Sequence, residues 1–263
     1  RLLDPPLHEF LPKSYHDERL VAEELGISRE AIHRKADQLH EYNPMLGHRG
    51  CRLGITFPEI YDMQIRAIIT AAIRVSMRHV CIHPQIMVPL VMNVNEIKTL
   101  YNRIHKVAAE VIEYEGFHVT YEVGTMIELP RAALVADQIA DFATFFSFGT
   151  NDLTQTTMGL SRDDAGKFLT QYIVDGILEK DPFKTLDVEG VGALIEMACE
   201  KGRNVRPDLK CGVCGEHGGD PESIGYCARI GMDYVSCSPF RIPAARLASA
   251  QAAIEMDEAA KGV

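Results

Sequence analysis

The sequence predicts an α/β fold of the (β/α) barrel type, and three observations point there. β-Favouring apolar runs alternate with amphipathic helical patterns along almost the whole chain. Its 263 residues suit one barrel-sized unit. No glycine-rich dinucleotide fingerprint follows any strand, which weakens the open, doubly wound alternative.

Taken in order, residues 1–4 read as the end of a strand that Pro5 and Pro6 stop. Helical patterns follow over 17–25 and 28–42, with Gly26 as a C-cap and Ser28 as an N-cap. This pair, part of a helical insertion over 15–42, imitates a DNA-reading helix-turn-helix. Residues 17–41 carry seven acids against four Lys or Arg, a poor match for a phosphate backbone. Residues 45–50 read as a strand end carrying Arg49, and 58–77 as a helix opened by Pro58. A strand over 85–92 leads to Asn93 and Glu96, a capping box. The helix it opens shows Ile97, Leu100, Ile104, Val107, Ala108, Val111 and Ile112 on one face and closes at Gly116. The next apolar run starts near 118 and ends in Met126, Ile127 and Glu128, with a helix over 130–142 behind it. Residues 145–148 form an aromatic strand that stops at Gly149. Residues 154–164 read as a long polar loop, 165–178 as helical, and 187–201 as a helix capped by Asp187. A strand over 210–213, a helix from Asp220-Pro221 to Gly231, a strand over 234–237 and an Ala-rich helix over 242–255 complete roughly seven strands, the first truncated.

Composition narrows the partners. The formal charge is 27 − 37 = −10, which argues against nucleic acid and leaves steering to local arginines. No run of eighteen apolar residues exists, so no membrane span is expected. Seven irregularly spaced cysteines point to a reducing interior rather than a disulfide framework.

The chemistry is expected at strand ends, where barrels place ligands. Glu128 and Asp152 occupy two such ends and suit one hard divalent cation; the alternative is that each caps the helix behind it. Arg1, Arg49 and Arg162 are candidates for an anionic substrate. Gly149 and Thr150 let backbone N–H groups approach an anion. Cys211 and Cys214 form a lone Cys-x-x-Cys, weak evidence for zinc. On an extended segment, residues three apart face opposite sides, so one thiol belongs to the core. Cys214, next to Gly215, is the better acid/base candidate.

Five ordered motifs carry a resemblance: residues 1–10 (Arg-Leu-Leu-Asp-Pro-Pro-Leu-His-Glu-Phe), 47–52 (Gly-His-Arg-Gly-Cys-Arg), 124–131 (Gly-Thr-Met-Ile-Glu-Leu-Pro-Arg), 147–155 (Ser-Phe-Gly-Thr-Asn-Asp-Leu-Thr-Gln) and 214–220 (Cys-Gly-Glu-His-Gly-Gly-Asp). The chain resembles the C-terminal barrel of the pyruvate, phosphate dikinase family, which is related to phosphoenolpyruvate synthase and to Enzyme I of the sugar phosphotransferase system. The first motif favours the dikinase over those relatives. The resemblance implies a (β/α)8 barrel of the phosphoenolpyruvate/pyruvate type over 1–263, with its first strand, an ATP-binding domain and a phosphohistidine domain lying upstream. It implies Mg²⁺ held by Glu128 and Asp152, substrate contacts from Arg1, Arg49, Gly149, Thr150, Asn151, Asp152 and Arg162, and Cys214 as the acid/base at the methyl carbon of the pyruvate enolate. It further implies a homodimer in the cytoplasm or an organelle. A substrate-binding module without chemistry is the other reading.

Overall fold

The computed structural model describes residues 1–261. Its centre is a five-stranded, wholly parallel sheet: β1 (Gln85–Val88), β2 (Glu122–Ile127), β3 (Phe145–Gly149), β4 (Lys210–Cys214) and β5 (Tyr234–Val235), paired in chain order. Five strands in this order do not close on themselves among the described residues. β2 and β3 are buried almost throughout, as parallel strands covered on both faces must be.

The helices are α1 (Tyr15–Leu25), α2 (Arg29–Leu39), α3 (Cys51–Thr56), α4 (Pro58–Ser76), α5 (Val94–Glu115), α6 (Pro130–Leu134), α7 (Ala136–Ala140), α8 (Thr150–Met158), α9 (Leu169–Val174), α10 (Ala193–Val205), α11 (Pro221–Arg229) and α12 (Ile242–Lys261). α4 packs on α5, α7 on α10 and α11 on α12, and the main core lies between these helices and the sheet. The caps behave as their chemistry dictates. Asn93 accepts from the backbone N–H of Glu96 while Glu96 reaches back to that of Asn93, and Gly116 ends α5 at φ 63°. Ser28 caps α2, and Gly26 closes α1 at φ 66°.

Several expectations are corrected. Residues 1–4 are not a strand: with Pro5 and Pro6 lacking N–H groups, only Leu2 N–H reaches β1, at the Met87 carbonyl, 2.9 Å away. Residues 45–50 are not a strand either. Pro44–Leu46 is a 3₁₀ turn, and Gly50 and Cys51 thread between Asp4 and Pro89, giving one backbone bond to each. β1 stops at Val88 because Pro89 follows and Leu90 turns to φ 59°. The helix over 130–142 is broken at Val135, and 165–178 holds only a 3₁₀ turn and the short α9. Asp187 caps a π turn, Val188–Gly192, and α10 begins behind it. The last strand is two residues long. The largest correction matters for the site. The supposed polar loop from 154 begins inside α8, which starts directly at the end of β3 and runs to Gly159 at φ 65°.

Candidate active site

At the C-terminal ends of β2, β3 and β4, the register puts Ile127 beside Phe148 and Gly149 beside Cys214. Glu128 emerges next to β3. It is 1% exposed, and its Oε1 accepts the Leu90 N–H at 2.6 Å. Gly149 is what makes room: a Cβ there would collide with Glu128 Oε2. Burial, reinforced by the charges of Asp152 and Asp4, pushes the Glu128 carboxyl up to about 8.

Arg49, 3% exposed, sits between two acids. Its Nη1 donates to Asp152 Oδ1 at 2.9 Å and to the Met45 carbonyl at 3.2 Å, and its Nη2 donates to Asp4 Oδ2 at 2.7 Å. Arg1 joins the same Asp4 oxygen at 3.4 Å. Both Nη groups of Arg49, a candidate for an anionic substrate, are thus engaged by the protein itself, and Nε is the N–H left without a partner.

α8 opens on Thr150, Asn151 and Asp152, so its first backbone N–H groups point out of the end of β3, where an anion is favoured. The Thr150 side chain is turned away, bonded to the Cys214 carbonyl at 3.2 Å and to His217 at 2.7 Å, which leaves its backbone N–H for a ligand. Gly215, at φ 114°, lies close to Thr150 and Asn151; a Cβ there would sit 3.1 Å from Thr150 Oγ1 and 3.4 Å from the Asn151 amide. Asn151 Oδ1 is buried with no partner.

Cys211 is fully buried, touching Cys199 on α10, whereas Cys214 is half-buried with its thiol 3.6 Å from the Phe148 carbonyl. The two thiols face opposite sides of β4, as strand alternation requires. Burial pushes the Cys214 thiol up, while the Ser147 hydroxyl and the charge of Arg1 pull it down. Ser147 also lies near Tyr234, whose ring packs over Gly212. Arg162 lies apart from this group. Its backbone bonds Gln155, and its side chain lines a cleft of about 620 Å³ with Asp181, Lys184, Glu216 and Arg241.

Asp4, Ser147, Tyr234 and His217 escaped the sequence reading as site residues. Asp4 and Ser147 stand inside the quoted motifs, as does His217; Tyr234 gave no local signal. Among the described residues no cluster of three or more His, Cys, Asp or Glu is arranged to hold a metal by itself, and no helix is long and apolar enough to cross a membrane.

Residues 1–254 match the family model described as PEP-utilising enzyme, PEP-binding domain. The chain is 56% identical over 255 residues to the pyruvate, phosphate dikinase of Clostridium symbiosum, covering 97% of this chain and 29% of that protein. It is 58% identical over 262 residues to that of Rhizobium meliloti (strain 1021), covering 99% of this chain and 29% of the relative. It is 57% identical over 256 residues to pyruvate, phosphate dikinase 1, chloroplastic, of Arabidopsis thaliana, covering 97% of this chain and 27% of that protein. The chain thus spans less than a third of the length of these relatives. With the same motifs standing at the strand ends that form the site, the chain belongs to the PEP-utilising enzyme family, of which it carries the PEP-binding domain.

Proposed function

We propose that this chain houses the pyruvate half-reaction of a pyruvate, phosphate dikinase: phosphoryl transfer between an enzyme phosphohistidine outside the chain and the enolate of pyruvate, giving phosphoenolpyruvate. In the whole enzyme this links ATP, phosphate and pyruvate to AMP, diphosphate and phosphoenolpyruvate. The relatives' names support the overall activity, and the charge pattern of the site supports the half-reaction.

That pattern is the observation that carries the reading. Three acids, Asp4, Glu128 and Asp152, face two arginines, Arg1 and Arg49. Burial first, and then the charges of Asp152 and Asp4, make Glu128 hold its proton, so ionising it leaves the site one negative charge in excess, which a cation would offset. Glu128 and Asp152 suit Mg²⁺, which takes one or two carboxylates and completes its shell with substrate and water. When bound, Mg²⁺ supplies Lewis-acid charge to the substrate's carboxylate and enolate oxygens.

The chain's own groups do the rest. The first N–H groups of α8 and the amide of Asn151 bind carboxylate and phosphoryl oxygens. Arg1 offsets phosphoryl charge from the more exposed side, with its side chain 46% accessible, and Arg49 holds Asp152 in place and presents Nε. Arg162 serves the mouth of the site through its own cleft. Cys214 gives its proton to the methylene carbon of the enolate to make pyruvate and takes one back in the reverse direction. Burial keeps the thiol protonated until the enolate asks for the proton, with Ser147 and Tyr234 holding its position.

Sequential parallel pairing from β1 to β5, with residues 1–4 lying beside β1, supports a (β/α)8 barrel of which these strands are part. Exposed Phe240, Ile242, Leu247 and Ile254, on and before α12, support a homodimer, and seven free thiols support a reducing compartment. The test is exchange of pyruvate methyl protons with solvent in the presence of Mg²⁺. The protein should exchange them, Cys214→Ala should abolish exchange while oxalate still binds, and Cys211→Ala should retain exchange. Retention of exchange in Cys214→Ala would overturn the assignment.

A further inference from the structure

His217 has no part in the chemistry above, yet it is 1% exposed and bonds two separate pieces of chain, at Thr150 and at Pro182. It stands on the 3₁₀ turn Glu216–Gly219 that follows β4. Its Nε2 lies 2.9 Å from the Pro182 carbonyl and its Nδ1 lies 2.7 Å from Thr150 Oγ1, which is itself 3.2 Å from the Cys214 carbonyl. Counting hydrogens fixes the roles. A carbonyl only accepts, so Nε2 carries a hydrogen. In the neutral ring Nδ1 is then bare and accepts the Thr150 hydroxyl hydrogen. Thr150 has one such hydrogen and cannot give it to Nδ1 and to the Cys214 carbonyl together. Only an imidazolium, donating from Nδ1 to Thr150 Oγ1, frees the hydroxyl for Cys214. The joint between α8 and β4 therefore has two hydrogen-bond states, chosen by the charge on His217.

The charged groups facing the ring are Glu216 on its own turn, Asp220 at the start of α11 and Asp181 beside Pro182; all three favour the imidazolium. Burial outweighs them and holds the ring below its usual value, so the neutral state is the resting one. Thr150 begins the helical turn that carries Asn151 and Asp152, and Gly215 packs against it directly behind Cys214.

We propose that neutral His217 is a positioning residue: through the Thr150 hydroxyl it fixes the first turn of α8 against the turn that carries Cys214, and so sets the spacing between the anion-binding N–H groups and the thiol. The proposal rests on the half-reaction assigned above. An error of about an ångström between proton donor and carbon costs on the order of 10²-fold in rate, while metal and anion contacts survive it.

Two readouts test it. The first is the ¹⁵N spectrum of the His217 ring, which needs no turnover: a neutral ring protonated at Nε2 is expected at pH 7, with the Nδ1 signal moving in Thr150→Val. The second is pyruvate methyl exchange with Mg²⁺. His217→Gln keeps a donor near Nε2 but leaves nothing at Nδ1, whereas His217→Asn sets an amide near Nδ1. The Gln variant should lose on the order of 10²-fold in exchange rate with oxalate affinity retained, and the Asn variant should lose less. Thr150→Val should match the Gln variant, and the double variant should lose no more than either single one. An imidazolium at pH 7, equal losses in Gln and Asn, or additive losses in the double variant would overturn the proposal. Absence of exchange in the unsubstituted protein would sink the half-reaction instead, and the ring spectrum with its response to Thr150→Val then decides the His217–Thr150 link alone.

Discussion

Replacing Gly149 by Ala is the sharpest probe of how the site is built. The backbone there, at φ −81° and ψ 78°, is open to alanine, so any cost comes from space. A Cβ would collide with Glu128 Oε2 and lie 2.7 Å from Met126 Cε and 2.8 Å from Glu128 Cβ. Met126 is flexible and can yield, but Glu128 is anchored by the Leu90 N–H at 2.6 Å. Overpacking costs roughly 1–3 kcal/mol, and stranding the buried Leu90 N–H adds about 1–3 kcal/mol more. Loss of glycine's freedom in the unfolded chain returns about 0.4–1 kcal/mol. The net is a destabilisation of roughly 1–5 kcal/mol with a sharp loss of Mg²⁺ affinity, since the displaced group is a proposed ligand. Denaturant melts and Mg²⁺ titration calorimetry measure both. Gly166→Ala is the control: nothing lies within 4 Å of a Cβ there, so stability should hold or rise slightly. A Gly149→Ala protein with unchanged stability and unchanged Mg²⁺ affinity would refute the packing of Glu128 against β3.

Glu128→Gln and Asp152→Asn should each weaken Mg²⁺ binding, because a hard cation loses a charged oxygen; unaltered titrations in both would remove the metal from this site. Arg49→Lys keeps the charge but cannot hold Asp4, Asp152 and the Met45 carbonyl at once, so phosphoenolpyruvate affinity should fall by about 1–3 kcal/mol in a binding titration. The pH dependence without Mg²⁺ follows from Glu128, whose carboxyl lies near 8 in the fold against 4.5 in the unfolded chain. Between those values the folded state keeps a proton that the unfolded state has released, so this group's contribution to stability falls as pH rises through the window and is constant outside it. Melts from pH 4 to 9 should show the stability of the native protein relative to Glu128→Gln declining across that range, and a flat difference would exclude the burial-driven shift.

What could be read from the sequence was local. The capping box of Asn93 and Glu96, the closures at Gly26 and Gly116, and the N-cap at Ser28 each need only a few neighbouring residues, and all are present. Strand-end residues were legible for the same reason: Glu128 directly follows an apolar run, Cys214 ends one, and Asp152 stands four residues past the aromatic run that stops at Gly149. α8 was not, because Thr154, Thr156 and Thr157 weaken its intrinsic preference. It is held by contacts outside the helical ladder: Thr156 Oγ1 donates to the Asp152 carbonyl, and Gln155 accepts the Arg162 N–H. The false strands at 1–4 and 45–50 failed for a different reason. They are tied to the rest of the chain by single bonds at Met87, Asp4 and Pro89, and no local pattern distinguishes one such bond from a ladder. The pairing of Arg49 with Asp4 and Asp152 was not legible either, because those partners lie 45 and 103 residues away.

The long-range pairings also explain which atoms the fold leaves open. Each site group is fixed by another part of the chain: Glu128 by the Leu90 N–H, Cys214 against the Phe148 carbonyl, Thr150 by His217, Arg49 by two acids. What remains without a partner in and beside this network is Asp4 Oδ1, Arg49 Nε and Asn151 Oδ1. Leaving a buried polar atom unpaired costs about 1–3 kcal/mol, so each of the three is an open position that a ligand can satisfy. Anchoring one atom of each group while leaving another open holds the site in shape before any ligand arrives. Of the three, only Arg49 Nε donates and can meet an anionic oxygen, while the carboxylate and amide oxygens accept and suit a cation or a proton donor.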